Sequence, residues 1–291
     1  MLKTLVITPV FLKSTHDCRY VEELTASIQT QDTDTWHILV DDGSPLQGAE
    51  DFFREFCTRN RPTVSALLHR APTGTGLSVR DGLLAAFGYR NRSWTILGDI
   101  PVGKFSWVSV VDHDDFFPTK SSVSSRIGDA SNRTIAVHSD LDFYREPGSE
   151  APRPEPIISN MKDASRMLAE MLWGHVHLKY PTLILRKPLA HSLAVDLNWD
   201  IRFGSDRLLG LAVVRAACHL NMRVDYVPIK TVTKRLHPDS ITQSPWRTNI
   251  EFRIANDYAI YSQILDKDDL SKLLQLRKER YEWISKSMRD D

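Results

Sequence analysis

Apolar and polar positions follow two alternating periods along the first third of the chain. Residues 4–11 (TLVITPVF) are an apolar, β-branched run bounded by polar residues, the pattern of a buried strand. Within residues 20–29, Val21, Leu24 and Ile28 recur at helical spacing. A second apolar run at 36–40 (WHILV) stops at DDGS, Phe52, Phe53 and Phe56 mark a helix, and 63–68 (TVSALL) predicts a third strand. Gly74-Thr75-Gly76 opens a helix that continues through Ala86, and 106–111 (SWVSVV) is a strongly apolar strand ending at DHDD. This alternation implies βαβ units and an α/β fold with a mostly parallel sheet covered on both faces.

The second half is less regular. Residues 135–144, 182–185 and 224–236 read as strands, and 161–173 and 205–219 as helices. Pro147, Pro152, Pro154 and Pro156 make 146–157 a surface loop. From 246 to 291 the pattern is helical, with Leu270, Leu273, Leu274, Tyr281 and Ile284 on one apolar face. The polar face is not distinctly basic, so packing or self-association is expected before peripheral membrane contact.

Composition narrows the classes. Lys plus Arg equals Asp plus Glu, 37 each, which disfavours a general nucleic-acid binder. Cys18, Cys57 and Cys218 are widely spaced and include no CxxC pair, so reduced thiols in a cytoplasmic protein are expected. The N-terminal apolar run is short and interrupted by Pro9, and no other apolar run approaches membrane length; neither a signal segment nor a transmembrane span is predicted.

Two acidic clusters fall at predicted strand ends, Asp41-Asp42 and Asp112/Asp114/Asp115. Open parallel sheets place ligands outside the carboxyl ends of their strands. Closely spaced carboxylates repel one another unless a positive or hydrogen-donating group is present. A hard divalent cation, Mn2+ or Mg2+, meets that need through oxygen ligation. Asp41 and Asp42 suit an Asx turn with Gly43 at positive φ, or acceptors for a ribose hydroxyl or base N–H.

Taken in order, TPVF at 8–11, VDDGS at 40–44, GLSVRDG at 76–82 and VVDHDDFFP at 110–118 resemble the motifs of inverting family-2 glycosyltransferases of the GT-A fold. The resemblance is strong over about residues 1–120, moderate to about 243, and absent from the C-terminal helices. It implies a GT-A type, Rossmann-like sheet at 1–243, with a nucleotide-sugar-binding half (1–120) and an acceptor-side half (121–243), followed by a helical extension at 244–291. By resemblance, Thr8, Pro9 and Phe11 would border the nucleobase pocket. Asp42, with Asp41 beside it, would bind the nucleoside, and Arg80 would lie near the nucleotide. Asp112 would touch ribose or sugar as the first Asp of a DxD motif. Asp114 would hold the metal, and His113, at the variable position, is grouped with the donor-binding residues. Residues 198–211 (NWDIRFGSDRLLGL) resemble the segment carrying the general base, which makes Asp206 the base, with Asp200 as competitor. Ser205 stands where the family has Glu. KRLHPDSI at 234–241 resembles the late His-x-x-Ser motif, placing His237 at the metal or diphosphate with Lys234, Arg235 and Ser240 nearby.

The resemblance further implies transfer of a sugar from a nucleoside diphosphate, commonly UDP, to a glycan, lipid-linked or small-molecule hydroxyl, and a role in polysaccharide synthesis. The chain departs from the pattern at Asp81, where Asn is usual, and in an insertion at 89–105 that is expected to form an extra hairpin beside the donor pocket. Trp173 and Trp199 suit either sugar stacking or core packing, and His175 and His177 belong to the acceptor side. A sugar nucleotidyltransferase is disfavoured because no glycine-rich loop follows the first strand. A phosphohydrolase with Asp112 as nucleophile would carry that residue on the first strand, not mid-chain. No GxGxxG follows a strand, which disfavours a dinucleotide oxidoreductase. Loss of Glu at 205 leaves a non-catalytic sugar-nucleotide-binding subunit open, and a homo-oligomer is compatible with the sequence.

Overall fold

The computed structural model describes residues 4–149, 163–173, 176–201, 204–238 and 250–287. Most of the proline-rich loop, His175, Ser240 and the side chain of Ile284 lie outside the described residues.

The apolar runs become the centre of one eight-stranded sheet. β1 (Thr4–Val10) is buried along its whole length and is flanked by β2 (Thr35–Asp41) and β5 (Trp107–Val110), both parallel to it. β3 (Val64–His69) pairs parallel with β2, and β4 (Trp94–Leu97) closes that edge antiparallel to β3. On the other side β7 (Leu183–Arg186) runs antiparallel to both β5 and β6 (Thr134–Arg145), and β6 pairs parallel with β8 (Arg223–Leu236). The order is β4-β3-β2-β1-β5-β7-β6-β8, so only β4 and β7 oppose the rest. The insertion therefore supplies a single edge strand and not a hairpin.

Strand alternation divides the core between two faces. Leu5 and Ile7 of β1 face α3 (Thr75–Ala86), α6 (Lys187–Asp196) and α7 (Ser205–Leu220). Val6 and Val10 face α1 (Thr15–Gln29), α2 (Ala49–Arg59) and the short α4 (Ser124–Ile127). α1 starts ahead of its apolar stripe because Ser14 and Asp17 close a capping box, with Asp17 accepting from the Ser14 N–H at 2.8 Å. α3 lies tight on the sheet: a Cβ on Gly82 would stand 2.8 Å from methyls of both Ile7 and Val40. α5 (Ala164–Trp173) packs on α7. α8 (Ile250–Tyr261), α9 (Lys267–Ser287) and the turn between them place Ile260, Tyr261, Ile264, Leu270 and Leu273 in the same core as β1 and α3. The apolar face of the C-terminal helices thus packs on its own chain. Among the described residues no helix is long and apolar enough to cross a membrane. All three cysteines are free; Cys57 is buried, Cys18 and Cys218 half-buried.

Candidate functional site

The strand order reverses beside β1: β2 and β3 are laid down on one side of it, and the chain then returns to lay β5 on the other. Such a reversal opens a crevice at the carboxyl ends of parallel strands. Here it is bordered by residues 11–12, the DDGS turn and residues 111–116. Pairing continues one residue past β5, where Val111 donates to Ile7 O at 3.0 Å, and the chain leaves the sheet at Asp112.

On one side of the crevice the DDGS turn is built from its own side chains. Asp41 accepts from the Ser44 N–H at 3.2 Å and from the Ser44 hydroxyl, and Ser44 Oγ accepts from the Leu12 N–H at 2.7 Å. Burial raises the Asp41 carboxyl above its ordinary value, against the Ser44 donors. Asp42 joins the turn to the start of α3: Oδ1 accepts from the Thr73 N–H (2.7 Å) and hydroxyl (2.8 Å), and both oxygens accept from the Gly74 N–H at 3.0 Å. Burial opposes its ionisation, but His69, Thr73 and Gly74 outweigh it and hold Asp42 below the usual range. Oδ1 is committed to this anchor, while among the described residues Oδ2 takes the Gly74 bond alone.

His69 Nε2 lies 3.2 Å from Asp81, which also accepts from the Trp94 indole N–H at 3.1 Å. The unexpected Asp81 and the insertion thus explain one another, because the inserted strand carries the donor that Asp81 accepts from. Burial would depress His69, yet Asp42 and Asp81 together raise it to about 9. A raised folded value stabilises fully below the unfolded value and fades as pH rises through the folded one. The unmodified chain is therefore expected to lose stability between pH 6.5 and about 9. His69→Gln should flatten that loss in urea melts taken across the interval.

The first strand limits which of its atoms can reach the crevice. Thr8 shares the α1 face with Val6 and Val10; it is fully buried, and its hydroxyl pairs with His37 Nε2 at 2.8 Å, with His37 Nδ1 in turn 3.1 Å from Thr25 of α1. Its side chain belongs to the sheet–helix layer, which leaves its backbone to border the crevice. Pro9 is likewise buried in β1, which leaves Phe11, half-buried beneath Lys13, as the member of this group with a ring at the surface. Arg80 is 40% exposed on its side chain and meets Asp81 at 3.8 Å.

The other side of the crevice is a charged centre. An isolated antiparallel bridge between Phe116 and Thr233 brings the end of β8 back onto the acidic turn. Consequently His237 Nε2 stands 3.0 Å from Asp114 Oδ2 across 123 positions of sequence, and the Arg235 N–H donates to Asp115 Oδ1 at 3.1 Å. The Arg235 guanidinium donates to Asp114 O, Glu146 and Glu23, and it is stacked over Tyr20 with its centre 4.5 Å from the ring centroid. Glu23, Glu146 and Tyr20 carried no local signal for this role, being single polar positions on a helix or loop.

Lys234 lies in the field of Asp115, Asp112, Asp114 and Asp206, which outweigh burial and raise it. Burial pushes Asp112 up to about 6 against Lys234, with Asp114 and Asp206 adding to the rise. Burial also works against Asp114, but His237, His113 and Lys234 bring it down to about 2. Asp115 is driven well above its ordinary value by burial and by its two acidic neighbours, and its buried Oδ2 has no hydrogen-bond partner among the described residues.

A divalent cation suits this centre in part. Negative groups outnumber Lys234, Asp115 keeps an orphaned oxygen, and Asp114 with His237 offers an oxygen and an imidazole side by side. Among the described residues no group of three or more His, Cys, Asp or Glu could hold a metal unaided. The fit is therefore to an ion whose remaining ligands are phosphate oxygens and water, the usual habit of Mg2+.

The start of α7 adds a further acid to this charged centre. Gly204, at φ +79, caps the start of α7, and Asp206 sits in its first turn, where a helix N-terminus favours an anion. Burial would raise its carboxyl, but Lys179, Lys234 and Arg207 hold it below the ordinary value. Asp200 is exposed and bonded to Asn198 through its backbone N–H, outside this cluster. Ser205 is buried against Gly76, where a Cβ would stand 3.2 Å from Ser205 Cβ and 2.6 Å from Trp199 O; a small residue is what that close approach of α3 admits. Trp199 is 1% exposed and donates to Leu193 O at 3.0 Å, so it is core and not a stacking platform. Trp173 is half exposed. His177 faces Arg207, Lys179 and Asp206, and burial together with the two cations lowers it to about 4.

No family profile and no curated protein sequence matches the chain. Solved structures do match. The S. aureus TarS fragment 1–349, in complex with UDP-GlcNAc, superposes with a TM-score of 0.59 at 15% identity, over 94% of this chain and 70% of that one. Against the longer S. aureus TarS structure the match covers 42% of that chain. The mannosyltransferase PcManGT of Pyrobaculum calidifontis, in complex with GDP-Man and Mn2+, superposes with a TM-score of 0.56 at 13% identity, over 94% of this chain and 68% of that one. The likeness establishes the GT-A type fold.

Proposed function

We propose that this chain is a glycosyltransferase that moves a sugar from a nucleoside diphosphate to an acceptor hydroxyl with inversion, aided by Mn2+ or Mg2+. The observation that carries the proposal is that Asp206 lies in the field of Asp112 and Lys234 at the strand-order reversal, although the three come from separate stretches of the sequence. One carboxylate held ionised at a helix start, facing a centre suited to a cation and a diphosphate, is what a single in-line displacement needs. Asp206 takes the proton from the acceptor hydroxyl. Lys234 would face the leaving diphosphate, Asp114 and His237 would hold the cation, and Oδ2 of Asp42 with Phe11 would receive the nucleoside. When bound, the cation supplies charge neutralisation to the leaving group.

The complexes of the two similar structures, UDP-GlcNAc and GDP-Man, support a nucleotide-sugar donor and leave its base to experiment. The buried packing of Ser205 favours catalysis over a non-catalytic sugar-nucleotide-binding subunit, since it gives the missing Glu a steric reason. The test is a thermal-shift panel of UDP, GDP, dTDP, CDP and ADP with and without Mn2+, in which native-state binding raises the melting temperature. One diphosphate is expected to shift the chain only with Mn2+, and Asp114→Ala to abolish that shift. No shift with any nucleotide would overturn the proposal.

A further inference from the structure

We propose that Asp257, on α8, is a positioning residue for the transfer reaction: by fixing Arg207 it sets the first turn of α7 and with it the direction of the Asp206 carboxylate. The inference rests on the reading of Asp206 as the base. Asp257 is 1% exposed and accepts three strong hydrogen bonds, from Arg207 Nη1 at 2.6 Å, Arg277 Nε at 2.6 Å and the Tyr281 hydroxyl at 2.7 Å. Charge-assisted bonds of this length fix geometry as well as neutralise charge.

The network ties both flanks of the acceptor side to the C-terminal helices. Arg207 follows Asp206 directly and stands in the same helical turn. α8 also lies against the residue that starts that turn: a Cβ on Gly204 would stand 3.0 Å from Ile260 Cδ1 and 3.4 Å from Asn256 Nδ2. On the other flank, α9 sends Arg277 Nη1 to Leu172 O at 3.4 Å and Arg280 Nη1 to Trp173 O at 2.8 Å, so it caps the carboxyl end of α5. The chain leaving α5 carries His177, Lys179 and Tyr180, which all face Asp206. Asp257 is the only acid in this junction among the described ion pairs, and it joins Arg207 of the motif-bearing α7 to Arg277 of α9, which the GT-A motifs do not include.

Asp257→Asn leaves two arginines without a buried counter-ion and is the less secure variant to fold. Arg207→Met is the safer one, because Asp257 keeps Arg277 and Tyr281. Each is measured alone and together for release of nucleoside diphosphate from UDP-GlcNAc or GDP-Man in Mn2+, with water as acceptor. In that step the anomeric C–O bond to the diphosphate breaks, the bond to water oxygen forms, and the water proton passes to Asp206.

Turnover is expected to fall about tenfold or more in both variants, with no further fall in the double variant. Nucleotide affinity by thermal shift should stay within about twofold, a split that general destabilisation would not give. Amide exchange at 205–209 should rise while exchange in β1 does not. A folded Arg207→Met with unchanged turnover, or an equal loss of affinity and turnover, overturns the inference. Asp206→Asn in the same assay separates the two ideas: its undiminished turnover would sink the base assignment, whereas an inactive Asp206→Asn beside a normal Arg207→Met would sink the role of Asp257 alone.

Discussion

Asp206→Asn is expected to bind its nucleoside diphosphate with unchanged affinity and to transfer on the order of 10²–10⁴ times more slowly, the usual contribution of a positioned base. The substitution keeps the shape of the side chain and the oxygen that accepts from the Arg207 N–H at 2.8 Å, so the first turn of α7 is preserved. What it removes is the charge. Lys179, Lys234 and Arg207 hold the Asp206 carboxyl below its ordinary value against burial, so no acid limb from this group is expected near pH 7. Single-turnover kinetics with saturating donor isolates this step from binding. A normal rate would return the base to Asp200 or to a residue outside the described segments. An unchanged Asp200→Asn rate is the expected companion result, because that carboxylate is exposed and stands apart from the charged centre.

Gly43→Ala is expected to be the most damaging glycine-to-alanine substitution among the described residues. Gly43 adopts φ +67, and a Cβ there would stand 2.4 Å from Ala71 C and 2.6 Å from Pro72 N, both backbone atoms that cannot swing aside. Left-handed strain costs about 1–2 kcal/mol for an L side chain. Forced overpacking adds about 1–3 kcal/mol. The sum, about 2–5 kcal/mol, is a large share of the 5–15 kcal/mol by which domains are usually stable. A lowered urea midpoint with unchanged slope would report it. The displacement also has a functional reading. Gly43 joins Asp42 to Ser44, so moving it away from residues 71–72 pulls Asp42 off the Thr73 and Gly74 donors. The nucleotide-induced thermal shift should therefore fall even at temperatures where Gly43→Ala remains folded. A variant with wild-type midpoint and wild-type shift would show that the turn tolerates a side chain, and that the Asp42 anchor is not set by this close approach.

Local chemistry in the sequence determined the elements that build the first half of the sheet. The runs at 4–11, 36–40, 63–68 and 106–111 became β1, β2, β3 and β5 within a residue or two, because central parallel strands are apolar on both faces and leave few alternatives. Their polar stops placed both acidic turns at strand ends. The α6 helix (KPLAHSLAVD) escaped notice because it is short and weakly amphipathic, with Leu189, Ala190, Leu193 and Ala194 buried and few contrasting charges. The 89–105 insertion was visible as an insertion, but its single strand at the sheet edge depends on pairing with β3, which no local period encodes.

Tertiary structure alone decided which charged groups face one another. The Phe116–Thr233 bridge sets His237 against Asp114, the approach of Gly76 to Ser205 and Trp199 brings α7 beside α3, and Asp257 reaches Arg207 from the far end of the chain. It also assigned Trp199 to the core and turned Thr8 toward α1. The reason is physical. Periodicity and turn chemistry act over a few residues and fix secondary structure, whereas burial and charge pairing depend on distances that exist only once the sheet order is set.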